Sequence, residues 1–350
     1  MAKILLLGGT GAMGVYLVPE LLNLGHDVFV TSRSERKSDN NKLNYLKGSA
    51  HDNLFLTKIL TDKYDAIVDF MVYTTEEFRQ KYELLLLNTE HYIFLSTYRV
   101  FAESSVPITE NSRKLLEVSK NSEYLATDEY ALTKARQENV LRESKYKNWT
   151  IIRPTITYSK TRFQLGTLEA STVIVRSIHN CPVILPQEML DKQTTMTWAG
   201  DVAKMIARLI LNQNAFCEEY NACTAEHRSW KEVAEYYKKL IGLNVVPVSI
   251  DTYIKVIGGK YQILYDRMFN RIMDNSKILK AIGMKQNELM PLFDGLAKEL
   301  SNKYSLESIK MDNWRIHHKM DKITHTSLSK REYFICLFSL FKEKLRKYLF

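Results

Sequence analysis

Long apolar runs are missing from this chain. None reaches the roughly 20 residues that cross a bilayer, so no transmembrane helix is expected. Cysteine is scarce: Cys181, Cys217, Cys223 and Cys336 are the only four in 350 residues, and none forms a C-x-x-C pair. That excludes a disulfide framework and predicts free thiols in a reducing compartment; no metal ligand set is assigned. The few residues ahead of the first apolar run, Ile4 to Leu7, do not form a secretory signal, and internal repeats and low-complexity tracts are lacking. What remains is ordinary globular composition, 45% hydrophobic and 25% charged, in a length that suits one large domain or two joined ones. Only the charge is unbalanced. A formal +9 fits an anionic substrate, a nucleic acid or a lipid surface.

The chain is organised around its opening stretch, AKILLLGGTGAMGVYLVPELLNLGHDVFV. An apolar run is followed by a glycine-dense turn, an amphipathic helical pattern and a second apolar run from Val28 to Val30, which predicts strand, turn, helix, strand. Gly9, Gly11 and Gly14 fit G-x-G-x-x-G, and Gly8, Gly11 and Gly14 equally fit G-x-x-G-x-x-G. Missing Cβ atoms let the backbone approach a pyrophosphate, and the helix start offers N–H groups to it. A dinucleotide site is therefore expected over Gly8, Gly9, Thr10, Gly11, Ala12, Met13 and Gly14; the bland alternative is a turn that only packs helix on strand.

Strand and helix patterns then alternate. Strands are predicted at Leu43–Leu46, Ala66–Phe70, Tyr92–Leu95 and Thr150–Ile152, and helices after Asp52, at Glu76–Leu87 and at Asp128–Glu143. This rhythm predicts an α/β fold with a doubly wound parallel sheet. Beyond Pro154 the pattern is less regular, as in a smaller mixed α/β lobe that covers a substrate. Tyr130 and Lys134 stand four apart in YALTK and share a helical face. A nearby ammonium favours the phenolate, which suits a tyrosine that exchanges a proton with an alcohol or ketone. Ser96 and Thr97 end the fifth predicted strand, at the edge where such sheets place ligands. At the end of the second strand stand Thr31, Ser32 and Arg33 rather than an acid. Hydroxyls and a guanidinium suit a 2′-phosphate, so NADP is favoured over NAD.

Six motifs in order, GGTGAMG, FLSTYRVF, VPITENS, YALTK, IIRPTITY and TMTWAGDVAKMI, make the first two thirds of the chain resemble an extended short-chain dehydrogenase/reductase of the NAD-dependent epimerase/dehydratase family. The resemblance implies a Rossmann domain, a nucleotide-sugar substrate and a catalytic Thr97, Tyr130 and Lys134. Thr97 is selected over Ser96 because the family's hydroxyl residue lies three before a Val-aromatic pair. It further implies that Lys134 holds the nicotinamide ribose, that Pro154 and Thr155 adjoin the nicotinamide, and that Ser49 and Met71 stand near the adenosine half. Departures are visible at Gly48-Ser49, where the family often has Gly-Asp, and at Met71 and Val72, where it favours small residues. Tyr98 and Arg99 replace the Asp-Glu of family dehydratases, so a 4,6-dehydratase is not expected.

The resulting expectation is a cytoplasmic NAD(P)-dependent epimerase or reductase, paired as a homodimer. Residues 1–154 would bind cofactor, 155–323 substrate, with Arg162, Arg176 and Arg228 as candidate diphosphate clamps. The segment 324–350 is a basic amphipathic tail, with Lys342, Lys344, Arg346 and Lys347 beside aromatic residues. It suits either docking on protein or a peripheral contact with the inner face of the cell membrane. The competing reading is a silent NAD(P)-binding module that contacts RNA or a protein partner; nucleic acid is disfavoured because the chain lacks a basic platform interleaved with aromatics.

Overall fold

The computed structural model describes residues 1–301, 303–334 and 336–338. Ile4 to Leu7 are wholly buried in strand β1 (Lys3–Leu7). Ile4 and Leu6 face one core, Leu5 and Leu7 the other, the two-sided burial that a parallel sheet requires. Around β1 lie β2 (Asp27–Ser32), β3 (Leu43–Lys47), β4 (Tyr64–Asp69), β5 (Thr89–Leu95), β6 (Trp149–Pro154) and β7 (Glu218–Ala222). The seven strands run in the order β7-β6-β5-β4-β1-β2-β3, all parallel. The order reverses between β1 and β4, and the crevice at such a reversal is where doubly wound sheets bind ligands.

Helices cover both faces. Leu17 and Leu21 of α1 (Gly14–Asn23) and Val202 and Ile206 of a helix at Ala199–Leu209 fill one core. The other is filled by Leu56 of α2 (Asn53–Leu60), Phe78 and Leu85 of α3 (Thr75–Leu87) and Leu141 of α4 (Tyr130–Glu143). Asp52 caps α2 by accepting from the Leu54 and Phe55 N–H groups at 2.9 and 3.3 Å, the local reason this helix starts there.

The chain divides into two compact units, each assembled from separate stretches. The first comprises 1–157, 195–226 and 272–290; the second comprises 158–194, 227–271 and 291 onward. This differs from the linear boundary expected at 154. Residues 195–226 return to the first unit because β7 completes the sheet against β6, Glu218 opposite Thr150, and the helix Ala199–Leu209 covers one of its cores. The second unit holds helices Ala170–Ile178, Trp230–Ile241, Ile250–Ile257, Leu292–Leu300 and Trp314–Thr324, with a parallel pair between Val183–Pro186 and Val245–Val248. Of the expected tail, Lys342, Lys344, Arg346 and Lys347 lie outside the described residues. Among the described residues no helix is long and apolar enough to cross a membrane.

Candidate active site

The glycine turn joins β1 to α1, and its glycines do different things. Gly8 has φ +73°, and its N–H donates to Thr31 Oγ1 at 2.9 Å, which ties the turn to the end of β2. A Cβ at Gly9 would meet the Leu6 side chain at 2.7 Å, and one at Gly14 would lie 2.0 Å from the Gly9 carbonyl oxygen. Both are therefore required by the protein's own packing. Gly11 is exposed, and a Cβ there would meet nothing closer than 3.7 Å. Among the described residues no side chain caps the start of α1, and no acid lies in its first turn. An uncapped helix start beside a backbone clear of side chains fits an incoming pyrophosphate. Thr10, Ala12 and Met13 line this turn half-buried. At the end of β2, Ser32 is buried and donates its hydroxyl to the Ser34 carbonyl at 2.8 Å, while Arg33 is exposed.

Across the sheet, α4 opens with Tyr130, half-buried, and carries Lys134 one turn on. Lys134 is buried, its Nζ donating to the Met71 carbonyl at 3.1 Å and lying 4.4 Å from the Phe94 ring centre. Burial pushes its pKa down to about 8 against the opposing pull of Asp69 and Glu138. Met71 is also the neighbour of the glycine turn, with Sδ 3.0 Å from where a Gly8 Cβ would stand. One residue thus joins the glycine turn to the lysine. Thr97 is buried at the end of β5, its Oγ1 accepting the Arg99 N–H at 3.3 Å. The Arg99 guanidinium lies 5.4 Å from the centre of the Tyr130 ring and pairs with Glu129, whose carboxylate also accepts the Ala131 N–H at 2.7 Å and so caps α4.

Beneath these residues lies a buried charge network. Arg153 Nε and Nη2 donate to the two oxygens of Glu138 at 2.7 and 2.9 Å. Arg153 also pairs with Glu219, and Arg142 with both carboxylates. Burial alone would raise Glu138; Arg153, Arg142 and the Ser96 hydroxyl, 2.6 Å away, hold it below the usual carboxylate range. Glu219 is held down at about 2, again against burial, by Arg142 and Arg153. Asp69 is pushed up by burial, moderated by the Met71 N–H, Lys134 and the Tyr92 hydroxyl, which donates to it at 2.8 Å.

A profile of the NAD dependent epimerase/dehydratase family matches residues 4–223. The chain belongs to this family. A UDP-glucose 4-epimerase of Lactobacillus helveticus is 36% identical over 76 residues, 21% of this chain and 23% of that protein, so the match spans under a quarter of the curated relative's length. Among solved structures, the UDP-glucose 4-epimerase of Thermus thermophilus in complex with NAD superposes with a TM-score of 0.66 at 16% identity, over 87% of this chain and 99% of that one. The Bordetella bronchiseptica enzyme WbmG in complex with NAD and UDP gives 0.65 at 18% identity, over 87% and 96%. At these identities the likeness establishes the fold.

The expected residues differ in what they touch. Gly8, Met71 and Lys134 are joined through the contacts above, and Tyr130 stands one helical turn before Lys134 with its ring near Arg99. Pro154 ends β6 and Thr155 follows it, buried and 2.8 Å from the Thr197 hydroxyl. Ser49 is half-buried, its Oγ accepting from the His51 N–H at 3.3 Å. Ser96 is committed to Glu138. Arg176, expected as a diphosphate clamp, is corrected: it is wholly buried in the second unit, bonded to the Pro182 and His317 carbonyls and to Asp321. Arg228 bonds the Tyr236 hydroxyl at 2.9 Å and the His227 carbonyl. Sequence reasoning missed Asp69, Glu138 and Arg99. Glu138 had a signal, since Tyr130, Lys134 and Glu138 repeat at a spacing of four along one face of α4.

Proposed function

We propose that this chain is an NAD(P)-dependent epimerase or reductase of a nucleotide-linked sugar, with Tyr130 as general acid/base. The observation that carries the reading is Lys134, a buried ammonium hung on the carbonyl of Met71, the same residue that abuts the glycine turn. A bound nicotinamide supplies or accepts the hydride. The chain's own residues do the rest. Tyr130 Oη gives or takes the proton of the sugar hydroxyl, Thr97 Oγ1 holds that oxygen, and Lys134 places positive charge beside the phenol and a donor beside the cofactor ribose. Arg99, at 5.4 Å from the ring centre, adds a second cation that does not deprotonate. Gly8 to Gly14 take the pyrophosphate, Ser49 and Met71 flank the adenosine half, and Pro154 and Thr155 face the nicotinamide. Ser32 and Arg33, with Thr31 and no acid at the end of β2, favour NADP over NAD.

UDP-glucose and UDP-galactose, each with NAD(H) and NADP(H), are the probes. Tyr130→Phe should lower turnover by about 10²–10⁴-fold with cofactor binding kept; undiminished turnover would reject the assignment. Gly11→Ala should fold normally and bind cofactor at least about tenfold more weakly, whereas Gly14→Ala, which drives a methyl into the Gly9 carbonyl, should not fold. Arg33→Ala should weaken NADP(H) and spare NAD(H). A cytoplasmic homodimer fits the reading, with the C-terminal segment as its contact to the inner face of the cell membrane; sedimentation equilibrium measures the first.

A further inference from the structure

The described part of the C-terminal segment has an inner and an outer face. Residues 330–334 and 336–338 are helical. Inward, Cys336 is buried with Leu328, Met311, Val175 and Cys181 in an apolar cluster, and the Tyr333 hydroxyl donates to Asp321 at 2.5 Å. Asp321 is itself held by Arg176 at 2.9 Å and by the Leu328 N–H at 3.0 Å. The helix is therefore fastened to the second unit by its own side chains. Outward, Phe334, Leu337 and Phe338 are 69%, 47% and 50% exposed, and the Phe334 and Phe338 rings stack at 6.3 Å. Their spacing of three and four makes one stripe. Lys330 and Arg331, both exposed, precede Phe334 by four and three, so the stripe begins with two cations on its own face. Glu332 points elsewhere, with its carboxylate 3.6 Å from His179 Nε2.

We infer that this face is a docking surface for an anionic phospholipid bilayer, on which the protein lies without spanning it. The inference deepens the peripheral contact proposed above and names its residues and its lipid class. Aromatic and aliphatic side chains set beside cations, on a helix anchored from behind, match an interface in which apolar groups enter the acyl boundary and cations meet phosphates. Charge decides against the obvious alternative. From Lys330 to the end, the sequence carries six Lys and Arg against two Glu. A second copy laid on this face would bring like charges together with no acid on the stripe to neutralise them, whereas anionic headgroups supply the missing sign.

The test is co-sedimentation of the full chain with phosphatidylcholine vesicles, alone and mixed with phosphatidylglycerol. Binding should require phosphatidylglycerol and fall with salt. Phe334→Ser/Leu337→Ser/Phe338→Ser should weaken it at least about tenfold, and Lys330→Gln/Arg331→Gln should weaken it several-fold, while NAD(P)H fluorescence titration of both variants matches the parent and shows the first unit intact. Equal sedimentation of the triple variant and the parent would overturn the inference. So would a parent that ignores both vesicles, or one that elutes as a dimer through this face and is split by the triple variant. None of these outcomes touches Tyr130, whose assignment fails only on its own kinetics.

Discussion

Arg153 and His91 in the first unit and Arg176 and His317 in the second all have no solvent exposure, and the two pairs are unlike. Arg153 in the first unit meets two carboxylates, and one of these, Glu138, also takes the Ser96 hydroxyl at the end of β5. Its network thus reaches the residue next to Thr97 and the helix that carries Tyr130 and Lys134. Arg176 in the second unit spends its donors on Asp321, two backbone carbonyls and the hydroxyls of Thr324 and Thr326. All of these are structural ties, most of them to the helix Trp314–Thr324 and the turn at its C-terminal end. His91 has both ring nitrogens bonded, to Thr150 Oγ1 at 2.7 Å and to the Leu211 N–H at 3.0 Å. His317 is equally buried, yet neither ring nitrogen has a hydrogen-bond partner among the described residues. Burial pushes both down to about 4. The lesson is that burial of a polar group does not reveal its task; its partners do.

Breaking the arginine pair should give the largest effect. Arg153→Met takes one partner from two carboxylates at once, leaving Glu138 with Arg142 and the Ser96 hydroxyl and Glu219 with Arg142, and should cost toward the upper end of the ~3–5 kcal/mol seen when one partner of a buried ion pair is removed, read as a fall in Cm with urea. It should also lower turnover in the surviving folded fraction. Arg176→Met should fall at the lower end of that ~3–5 kcal/mol range, because Asp321 keeps the Tyr333 hydroxyl and the Leu328 N–H, and should leave turnover per folded molecule unchanged.

Acid comes next. A histidine whose folded pKa lies below its unfolded value of about 6.5 binds protons more readily when unfolded. Its contribution is fully present above pH 6.5 and is lost as pH falls toward 4, at about 2 kcal/mol per histidine between pH 6.5 and 5. Asp69 and Glu110, raised by burial, work in the opposite sense and soften the fall. Stability measured by urea melts at stepped pH should drop over this window, and less steeply in either His91→Leu or His317→Leu. At neutral pH the same substitutions separate the pair most finely. His91→Leu leaves the Leu211 N–H unmatched and should cost ~1–3 kcal/mol, whereas His317→Leu removes only unsatisfied nitrogens and should cost under about 1 kcal/mol.

The same contrast governs what was readable beforehand. In the first unit local chemistry spoke clearly. A two-sided apolar run gave β1, the glycines gave its turn, Asp52 gave the cap of α2, and the four-residue spacing gave Tyr130 and Lys134 on one helix. What stayed hidden was long-range. β7 is a mixed strand, EEYNA, whose place is set by pairing with β6. Asp69 looks like any strand-end acid until Lys134 and Tyr92 converge on it. In the second unit no motif marks which arginine faces inward, and Arg176 resembles a ligand clamp only as long as its partners, about 140 residues further on, are out of sight.

The interleaving of the two units sets an order for biosynthesis. A ribosome that has released the Tyr130 helix has not yet made β7 or the helix Ala199–Leu209, so the edge of the sheet and one face of its core stay bare while the first stretch of the other unit emerges. The seven-stranded sheet therefore becomes a finished object only late in translation, and a protease cut in the middle of the chain yields no self-sufficient half.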